Sequence, residues 1–87
     1  MKVKTIRRRR IKRPLLARNL RYLRQQRDWT QKEVADRLYL NRSAYTYYET
    51  GASQPAYDTL FRLAEMYGTT VQVLLTEDLA AHTPTQN

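Results

Sequence analysis

The 87-residue sequence contains no cysteine and only two glycines. Without thiols the chain can form no disulfide, no thiolate nucleophile and no cysteine-based zinc site, and it fits a reducing compartment. It also has no glycine-rich loop of the kind that cradles phosphates. Its only histidine, His82, lies near the carboxyl terminus, and its acidic residues are scattered. The residues therefore predict neither an enzyme nor a metal or cofactor site.

Long apolar runs are absent as well. The longest uninterrupted stretches, such as residues 73–75, are far shorter than the roughly 18 residues that a membrane-spanning helix needs. The basic amino terminus is not followed by the apolar stretch of a secretory signal. We therefore expect a cytoplasmic protein with no membrane association and one small domain, since a chain of this length buries only a modest core.

Acidic residues are missing from the first 13 positions, which carry eight Lys and Arg. The remaining residues hold eight basic and eight acidic side chains, so the net charge of +8 belongs to this amino-terminal arm. Such an asymmetry points to a polyanionic partner. A run of arginines is also typical of a solvated, disordered tail, so the arm alone leaves both interpretations open.

Apolar residues recur with helical spacing through the rest of the chain. Leu16, Leu20 and Leu23 follow the pattern of an amphipathic helix, and similar patterns recur downstream. The predicted helices cover about residues 14–27, 31–39, 42–50 and 57–67, with a short fifth helix after Thr70. The predicted fold class is therefore all-α.

The second and third helices carry clear start and stop signals. Thr30 and Glu33 have the spacing of a capping box. Asn41 is a good cap for the third helix, and Gly51 suits a left-handed stop. Only residues 39–41 separate the two helices, and a short turn of this kind projects the second helix of a pair outward.

The stretch NRSAYTYYETG, residues 41–51, has two different faces when wound at about 100° per residue. Tyr45 and Tyr48 fall on the apolar side, together with Glu49. The opposite arc bears a cation, hydroxyls and an aromatic ring but no carboxylate: Arg42, Ser43, Thr46, Tyr47 and Thr50. This composition is expected of a helix in the DNA major groove, although alone it also fits a solvated surface.

The segments LRYLRQQRDWTQKEVADRLYLNRSAYTYYETG and QPAYDTLFRLAEMYGTTVQVLL resemble the Cro/C1-type helix-turn-helix family, also called the XRE family, of phage repressors and bacterial regulators. The resemblance implies a five-helix bundle of the lambda-repressor-like type over residues 14–78. It also implies that helices two and three bind DNA. A basic, flexible arm over residues 1–13 and a flexible tail over residues 79–87 complete the expected organisation.

The resemblance also assigns site residues. Gln31 matches a glutamine that contacts the DNA backbone or a base, and Arg42 could bind a guanine edge through two hydrogen bonds. Backbone amides of residues 51–54 are expected to meet phosphate. The full set of expected DNA-binding residues is Gln31, Lys32, Arg42, Ser43, Thr46, Tyr47, Thr50 and, from the arm, Arg7, Arg8, Arg9 and Arg10.

Arg24 and Glu49 match a pair that in some relatives forms a partly buried salt bridge; the alternative is two separate surface charges.

The sequence also departs from the family pattern. Tyr39 occupies a turn position usually filled by glycine, so it must either adopt a left-handed backbone or use another turn. Ala56 stands where a capping serine is common, which weakens the start of the fourth helix. No Lys or Arg follows Gly51 in the loop, so we expect the basic arm to supply phosphate contacts.

The expected function is a sequence-specific transcription regulator, more specifically a repressor, that binds double-stranded DNA as a homodimer. Val73, Leu75 and Leu79 are candidates for the dimer interface. One alternative is an antitoxin that binds a toxin protein and also represses its own operon. Another is an RNA or general nucleic-acid binder acting mainly through the arm. The sequence does not separate these three possibilities.

Overall fold

The structure, a computed structural model, describes residues 14–81. They form five α-helices: α1 Leu15–Gln26, α2 Gln31–Arg37, α3 Arg42–Thr50, α4 Tyr57–Tyr67 and α5 Val71–Thr76. No strand occurs between residues 14 and 81, so the all-α prediction is confirmed. None of these helices combines the length and apolarity needed to cross a membrane. The arm, with its expected contacts Arg7, Arg8, Arg9 and Arg10, and the segment from His82 onward lie outside the described residues.

All five helices, or the residues that cap them, contribute side chains to one core. Leu20, Val34, Tyr45, Leu63 and Leu74 are fully buried, and each comes from a different helix. The other buried members of this cluster are Leu16, Ala35, Leu38, Leu60, Ala64 and Tyr67. Because the apolar faces of the short helices α2 and α3 are buried in this way, tertiary packing stabilises helices that would be marginal in isolation.

Local capping fixes where α2 and α3 begin. The hydroxyl of Thr30 accepts a hydrogen bond of 3.0 Å from the amide of Glu33, whose carboxylate accepts one of 2.7 Å from the amide of Thr30. Asn41 Oδ1 accepts a bond of 2.8 Å from the amide of Ala44, and Gly51 ends α3 with φ of 85°. The capping box of α2, the side-chain cap of α3 and the left-handed stop of α3 were all predicted, and all three are confirmed. Ala56, in contrast, gives α4 no side-chain cap.

The turn between α2 and α3 uses a left-handed residue that is not glycine. Tyr39 has φ of 59° and a side chain that is 90% exposed. This is the first of the two arrangements expected for Tyr39, and it costs roughly 1 to 2 kcal/mol. The turn is held by the amide of Leu40, which donates to the carbonyl of Ala35 at 2.8 Å, and by Arg62 Nη2, which donates to the carbonyl of Leu38 at 2.5 Å.

Asn19 connects α1 to the chain that follows α5. It is fully buried, and its Nδ2 donates to the carbonyls of Leu74 and Glu77 at 2.8 and 2.6 Å. Its Oδ1 accepts a bond of 3.1 Å from the amide of Leu79. Asn19 thereby satisfies two carbonyls at the end of α5, which would otherwise lack helical partners.

Trp29 lies at the junction of α1 and α2. It is half-buried against the core, and its ring centroid is 5.9 Å from that of Tyr67. The guanidinium carbons of Arg37 and Arg27 lie 4.0 and 5.7 Å from the Trp29 ring centroid, distances at which a cation is attracted to the face of an indole. The junction between the two helices is therefore packed from several sides.

Candidate nucleic-acid interface

One face of α3 is open to solvent and the other is buried. Tyr47 is 53% exposed, whereas Tyr45, two residues earlier, is completely buried. Tyr48 is half-buried and packs against the core. The division of the tyrosines predicted from helical periodicity is therefore confirmed. The exposed face consists of Arg42, Ser43, Tyr47 and Thr50, with the half-buried Thr46 among them.

The exposed face of α3 is cationic and carries hydrogen-bonding groups. Within residues 14–81, the side chains of Arg42, Ser43 and Tyr47 have no hydrogen-bond or salt-bridge partner. The only carboxylate of α3 belongs to Glu49, which is 2% exposed and points inward. The outer face of α3 therefore presents an available guanidinium and no exposed carboxylate of α3 itself.

The buried face of α3 is held by a salt bridge to α1. Arg24 Nε lies 2.6 Å from Glu49 Oε2, and Arg24 Nη2 lies 3.0 Å from Glu49 Oε1. The hydroxyl of Tyr45 donates to Glu49 Oε2 at 2.5 Å, and Gln31 Nε2 donates to Glu49 Oε1 at 3.1 Å. The expected ion pair is therefore present, and the alternative of two separate surface charges is excluded. A bidentate pair of this kind restricts the rotation of α3 about its own axis.

These contacts also determine the charge states of the cluster. Burial alone would raise the pKa of the Glu49 carboxyl, but the hydrogen bonds from Arg24, Tyr45 and Gln31 outweigh it and hold that pKa below its usual value. Burial raises the pKa of the Tyr45 hydroxyl, so this group remains a donor. The hydrogen bond to Glu49 raises the pKa of Arg24. At neutral pH the cluster contains one carboxylate and one guanidinium.

The two α2 residues expected at the interface have partners within the protein. Both ends of the Gln31 side-chain amide are bonded to α3: Nε2 donates to Glu49, and Oε1 accepts a bond of 2.7 Å from the hydroxyl of Thr46. Lys32 forms a salt bridge of 2.9 Å with Asp36, four residues along the same helix. The Lys32 pair is exposed, and an ion pair of this kind contributes little stability.

The loop after α3 differs from expectation in one respect. The amides of Gly51 and Ser53 both donate to the carbonyl of Tyr47, at 3.0 and 3.3 Å, and the amide of Ala52 donates to the Thr50 hydroxyl at 3.2 Å. Of the backbone amides of residues 51–54 that were expected to meet phosphate, only that of Gln54 has no partner within residues 14–81.

The root of the basic arm lies against the end of α3. A Cβ atom built on Gly51 would be 2.5 Å from Cδ of Pro14, the first described residue. The φ of Gly51 is also in the left-handed region, so a larger residue would be both strained and in collision with the Pro14 ring. This close approach places the point where the arm joins the domain beside the carboxyl end of α3.

Several features were not predicted from the sequence. The Gln31 to Thr46 hydrogen bond and the contacts of Asn19 join residues far apart in the chain. No local sequence pattern predicts these contacts. Tyr57 and Phe61 form an exposed aromatic pair on α4, with ring centroids 5.4 Å apart. Their spacing of four residues was a signal for this pair, because residues i and i+4 meet on one helix face.

The residues expected at a dimer interface are only partly accessible. Leu75 is 44% exposed, and Val73 and Leu79 are half-buried. The backbone amide of Leu79 is bonded to Asn19, so this residue has a fixed position at the end of α5. Within residues 14–81 no group of acidic or histidine side chains is arranged to hold a metal ion.

Comparison with known proteins identifies similar sequences and folds. Residues 20–74 match the profile of the helix-turn-helix family. The chain is 36% identical over 61 residues to the uncharacterized HTH-type transcriptional regulator YqaE of Bacillus subtilis, a match that covers 70% of this chain and 53% of YqaE. It is 34% identical over 58 residues to the cryptic phage CTXphi transcriptional repressor RstR of Vibrio cholerae, covering 67% of this chain and 52% of RstR. The chain thus spans about half the length of the curated relatives it matches.

Among solved structures, the fold is similar to that of the DNA-binding domain of the P22 C2 repressor. The TM-score is 0.71, and the match covers 84% of this chain and 96% of that domain. The sequence identity is 18%, so this likeness concerns the fold. The lambda-repressor-like arrangement of helices expected from the sequence is confirmed.

Proposed function

Because the chain belongs to the Cro/C1-type, or XRE, helix-turn-helix family, we propose that it is a sequence-specific DNA-binding transcriptional regulator that acts as a repressor. The observation that carries the proposal is the exposed face of α3, which presents a guanidinium and hydroxyls but no carboxylate. The buried face of the same helix is held in place by the salt bridge between Arg24 and Glu49. A rigid helix with such a face is suited to the major groove.

The side chains of this face differ in what they can recognise. Arg42 has the geometry to donate two hydrogen bonds to guanine O6 and N7, the most selective contact available to α3. Ser43 and Thr46 offer single hydroxyls, and the ring of Tyr47 suits a thymine methyl or a phosphate. We assign Lys32 and Thr50 to contacts with the DNA backbone. We assign base reading mainly to Arg42 and Thr46.

The basic arm supplies further phosphate contacts. Pro14, the residue that follows the arm in the sequence, packs on Gly51 at the end of the proposed recognition helix. We propose that the eight positive charges of residues 1–13 meet the duplex when α3 is in the groove. The arm thereby provides the charge that the loop after Gly51 lacks, and its contribution falls steeply with salt.

Binding as a homodimer accounts for specificity that a single small domain lacks. One helix of this length contacts only a few base pairs, whereas two domains related by a two-fold axis read both halves of a pseudo-palindromic operator. The exposed Leu75 and its neighbours Val73 and Leu79 at the α5 end are the proposed contacts between the two copies.

The proposal is tested by selecting bound duplexes from a random DNA library with the full chain. A symmetric motif would support both base reading and dimerisation, and a single unrepeated motif would support base reading by a monomer. A pool that is not enriched in any sequence would contradict the proposal.

A second experiment separates base reading by α3 from general binding by the arm. Replacing Arg7, Arg8, Arg9 and Arg10 with glutamine should lower the slope of log affinity against log salt by about 3 to 4 units if all four meet phosphates. The selected motif should remain the same. Loss of all binding, with no residual sequence preference, would instead favour a general nucleic-acid binder that acts through its arm.

An antitoxin that binds a toxin and represses its own operon is the second candidate function. The exposed aromatic pair Tyr57 and Phe61 favours it, because these rings lie on α4, outside the proposed DNA-binding face, and could contact a protein. Co-expression of the chain with the product of an adjacent gene tests this alternative. Protection of cells from a toxic neighbour, lost in Phe61→Ser and retained in the DNA-face variant Arg42→Ala, would support it.

A further inference from the structure

The side-chain amide of Gln31 lies between two residues of α3. Its Nε2 is 3.1 Å from Glu49 Oε1, and its Oε1 is 2.7 Å from the hydroxyl of Thr46. Glu49 belongs to the buried cluster and Thr46 to the outer arc. Gln31 therefore connects the charge pair that anchors α3 with a side chain on the face that we propose reads DNA.

The buried carboxylate determines which way the Gln31 amide is turned. Glu49 is ionised and can only accept hydrogen bonds, so the donor Nε2 of Gln31 must face it. The reversed amide would place its oxygen against a carboxylate oxygen, two acceptors without a proton between them. The Gln31 oxygen must consequently face Thr46.

The same reasoning determines the direction of the next bond. Glutamine Oε1 has no hydrogen, so the hydroxyl of Thr46 must donate its single proton to it. What Thr46 can still offer is the lone pairs of its oxygen and its methyl group. A free threonine hydroxyl can rotate to donate or to accept and is therefore unselective toward base edges. In this protein it is an acceptor only.

We propose that Gln31 is a positioning residue that makes Thr46 selective for a base carrying an exocyclic amine. In the major groove only adenine N6 and cytosine N4 donate hydrogen bonds, whereas guanine O6 and N7 and thymine O4 accept them. Thr46 would therefore favour adenine or cytosine on the strand that it faces. The inference rests on the proposed function, because it requires α3 to occupy the major groove, and it replaces the expected direct contact of Gln31 with DNA.

The test compares motifs selected from a random duplex library by the wild-type chain and by three variants. Thr46→Val removes the hydroxyl at nearly constant shape, so the base pair whose preference it alters is the one that Thr46 faces. At that position the wild type should prefer adenine or cytosine over guanine and thymine by about five- to tenfold, the effect of one neutral hydrogen bond. Thr46→Ser keeps the hydroxyl and its bond to Gln31, so it should keep this preference.

Gln31→Met is the decisive variant. Methionine has a similar length but cannot fix the Thr46 proton, so guanine and thymine should become acceptable at that one position while the rest of the motif is unchanged. Gln72→Met makes the same exchange on the exposed surface of α5 and should leave the whole motif unchanged. Far-UV circular dichroism and thermal unfolding of each variant confirm that the domain is folded. If Gln31→Met does not fold, the comparison of Thr46→Ser with Thr46→Val carries the test.

Several outcomes would overturn the inference while leaving the proposed function intact. These are a wild-type preference for guanine or thymine at the Thr46 position, no position altered by Thr46→Val, or an unchanged motif in a folded Gln31→Met. A uniform loss of affinity in Gln31→Met would also overturn it and make Gln31 a backbone contact. A wild-type pool without any enriched motif would remove the proposed function and the inference together.

Discussion

The two faces of α3 satisfy their polar groups in opposite ways. On the inner face, the Glu49 carboxylate receives hydrogen bonds from Arg24, Tyr45 and Gln31, and it is almost completely buried. On the outer face, the side chains of Arg42 and Ser43 have no partner within residues 14–81. The inner face holds the helix in one orientation, and the outer face is left able to bind something else.

This difference separates two kinds of energetic effect. A change on the inner face removes a contact that exists only in the folded protein, so it alters the free energy of unfolding. A change of Arg42, Ser43 or Tyr47 on the outer face removes no hydrogen bond or ion pair within residues 14–81, so it should alter the free energy of binding alone. Substitutions on α3 and its supports can therefore be sorted by which of the two quantities they change.

The largest effect is expected for Arg24→Met. This change leaves the Glu49 carboxylate buried without its guanidinium, and removal of one partner from a buried ion pair lowers the free energy of unfolding by about 3 to 5 kcal/mol. Urea denaturation measures the loss. Arg21→Met, on the exposed face of the same helix, is the matched control and should change stability by less than about 0.5 kcal/mol. Similar small losses for both variants would mean that the pair does not anchor α3.

Arg42→Ala should have its effect on binding. We expect a loss of about 1 to 3 kcal/mol in the free energy of operator binding, together with relaxed preference at one base pair. The free energy of unfolding should stay within about 0.5 kcal/mol of wild type, because Arg42 is exposed. Equilibrium titrations on the selected operator and on single-base variants measure this. Equal weakening on every duplex would show a phosphate contact instead.

The inner face should also make stability depend on acidity. The pKa of Glu49 is lower in the folded chain than in the unfolded chain, so its contribution is complete above the unfolded pKa and is lost as pH falls through the folded pKa. One such group contributes a slope of at most about 1.4 kcal/mol per pH unit. Denaturant unfolding of wild type and Glu49→Gln between pH 6 and the acid limit of folding measures the difference. Parallel pH profiles would contradict the assignment.

The smallest effect is expected at the turn that joins α2 to α3. Tyr39→Gly relieves a left-handed backbone costing roughly 1 to 2 kcal/mol but adds unfolded-state freedom, so a net stabilisation of about 0.5 to 1 kcal/mol should remain. Affinity for the operator should not change, because Tyr39 belongs to neither face of α3. Thermal unfolding and operator titration check both statements. A Tyr39→Gly variant that is less stable than wild type would indicate that the exposed Tyr39 ring makes a stabilising contact.

Local patterns were sufficient to predict the helices and their ends. Thr30, Asn41 and Gly51 mark boundaries through bonds to residues within a few positions, so their roles can be read from the sequence. Periodicity was also sufficient to place Tyr45 inside and Tyr47 outside. The Arg24 to Glu49 pair needed the family resemblance in addition, because its members are 25 positions apart.

Contacts that depend on how the helices are arranged could not be predicted. The inward turn of the Gln31 amide follows from the position of a carboxylate 18 residues away, and the burial of Asn19 follows from where α5 ends. Asp28 has φ of 56° beyond the end of α1, a left-handed conformation that was not predicted from the sequence. Residue type and spacing restrict which of these contacts are possible, but the packing of the five helices determines which of them form.

Trp29 is the only tryptophan of the chain, and its position gives the molecule a built-in fluorophore. Its indole lies against the guanidinium of Arg37 and close to the phenol of Tyr67, so its emission should report the integrity of the α1 to α2 junction. It does not belong to α3, whose exposed side chains can be exchanged without altering the chromophore. Unfolding and operator binding can thus be followed by separate optical signals, the first intrinsic to the protein and the second from a label on the duplex.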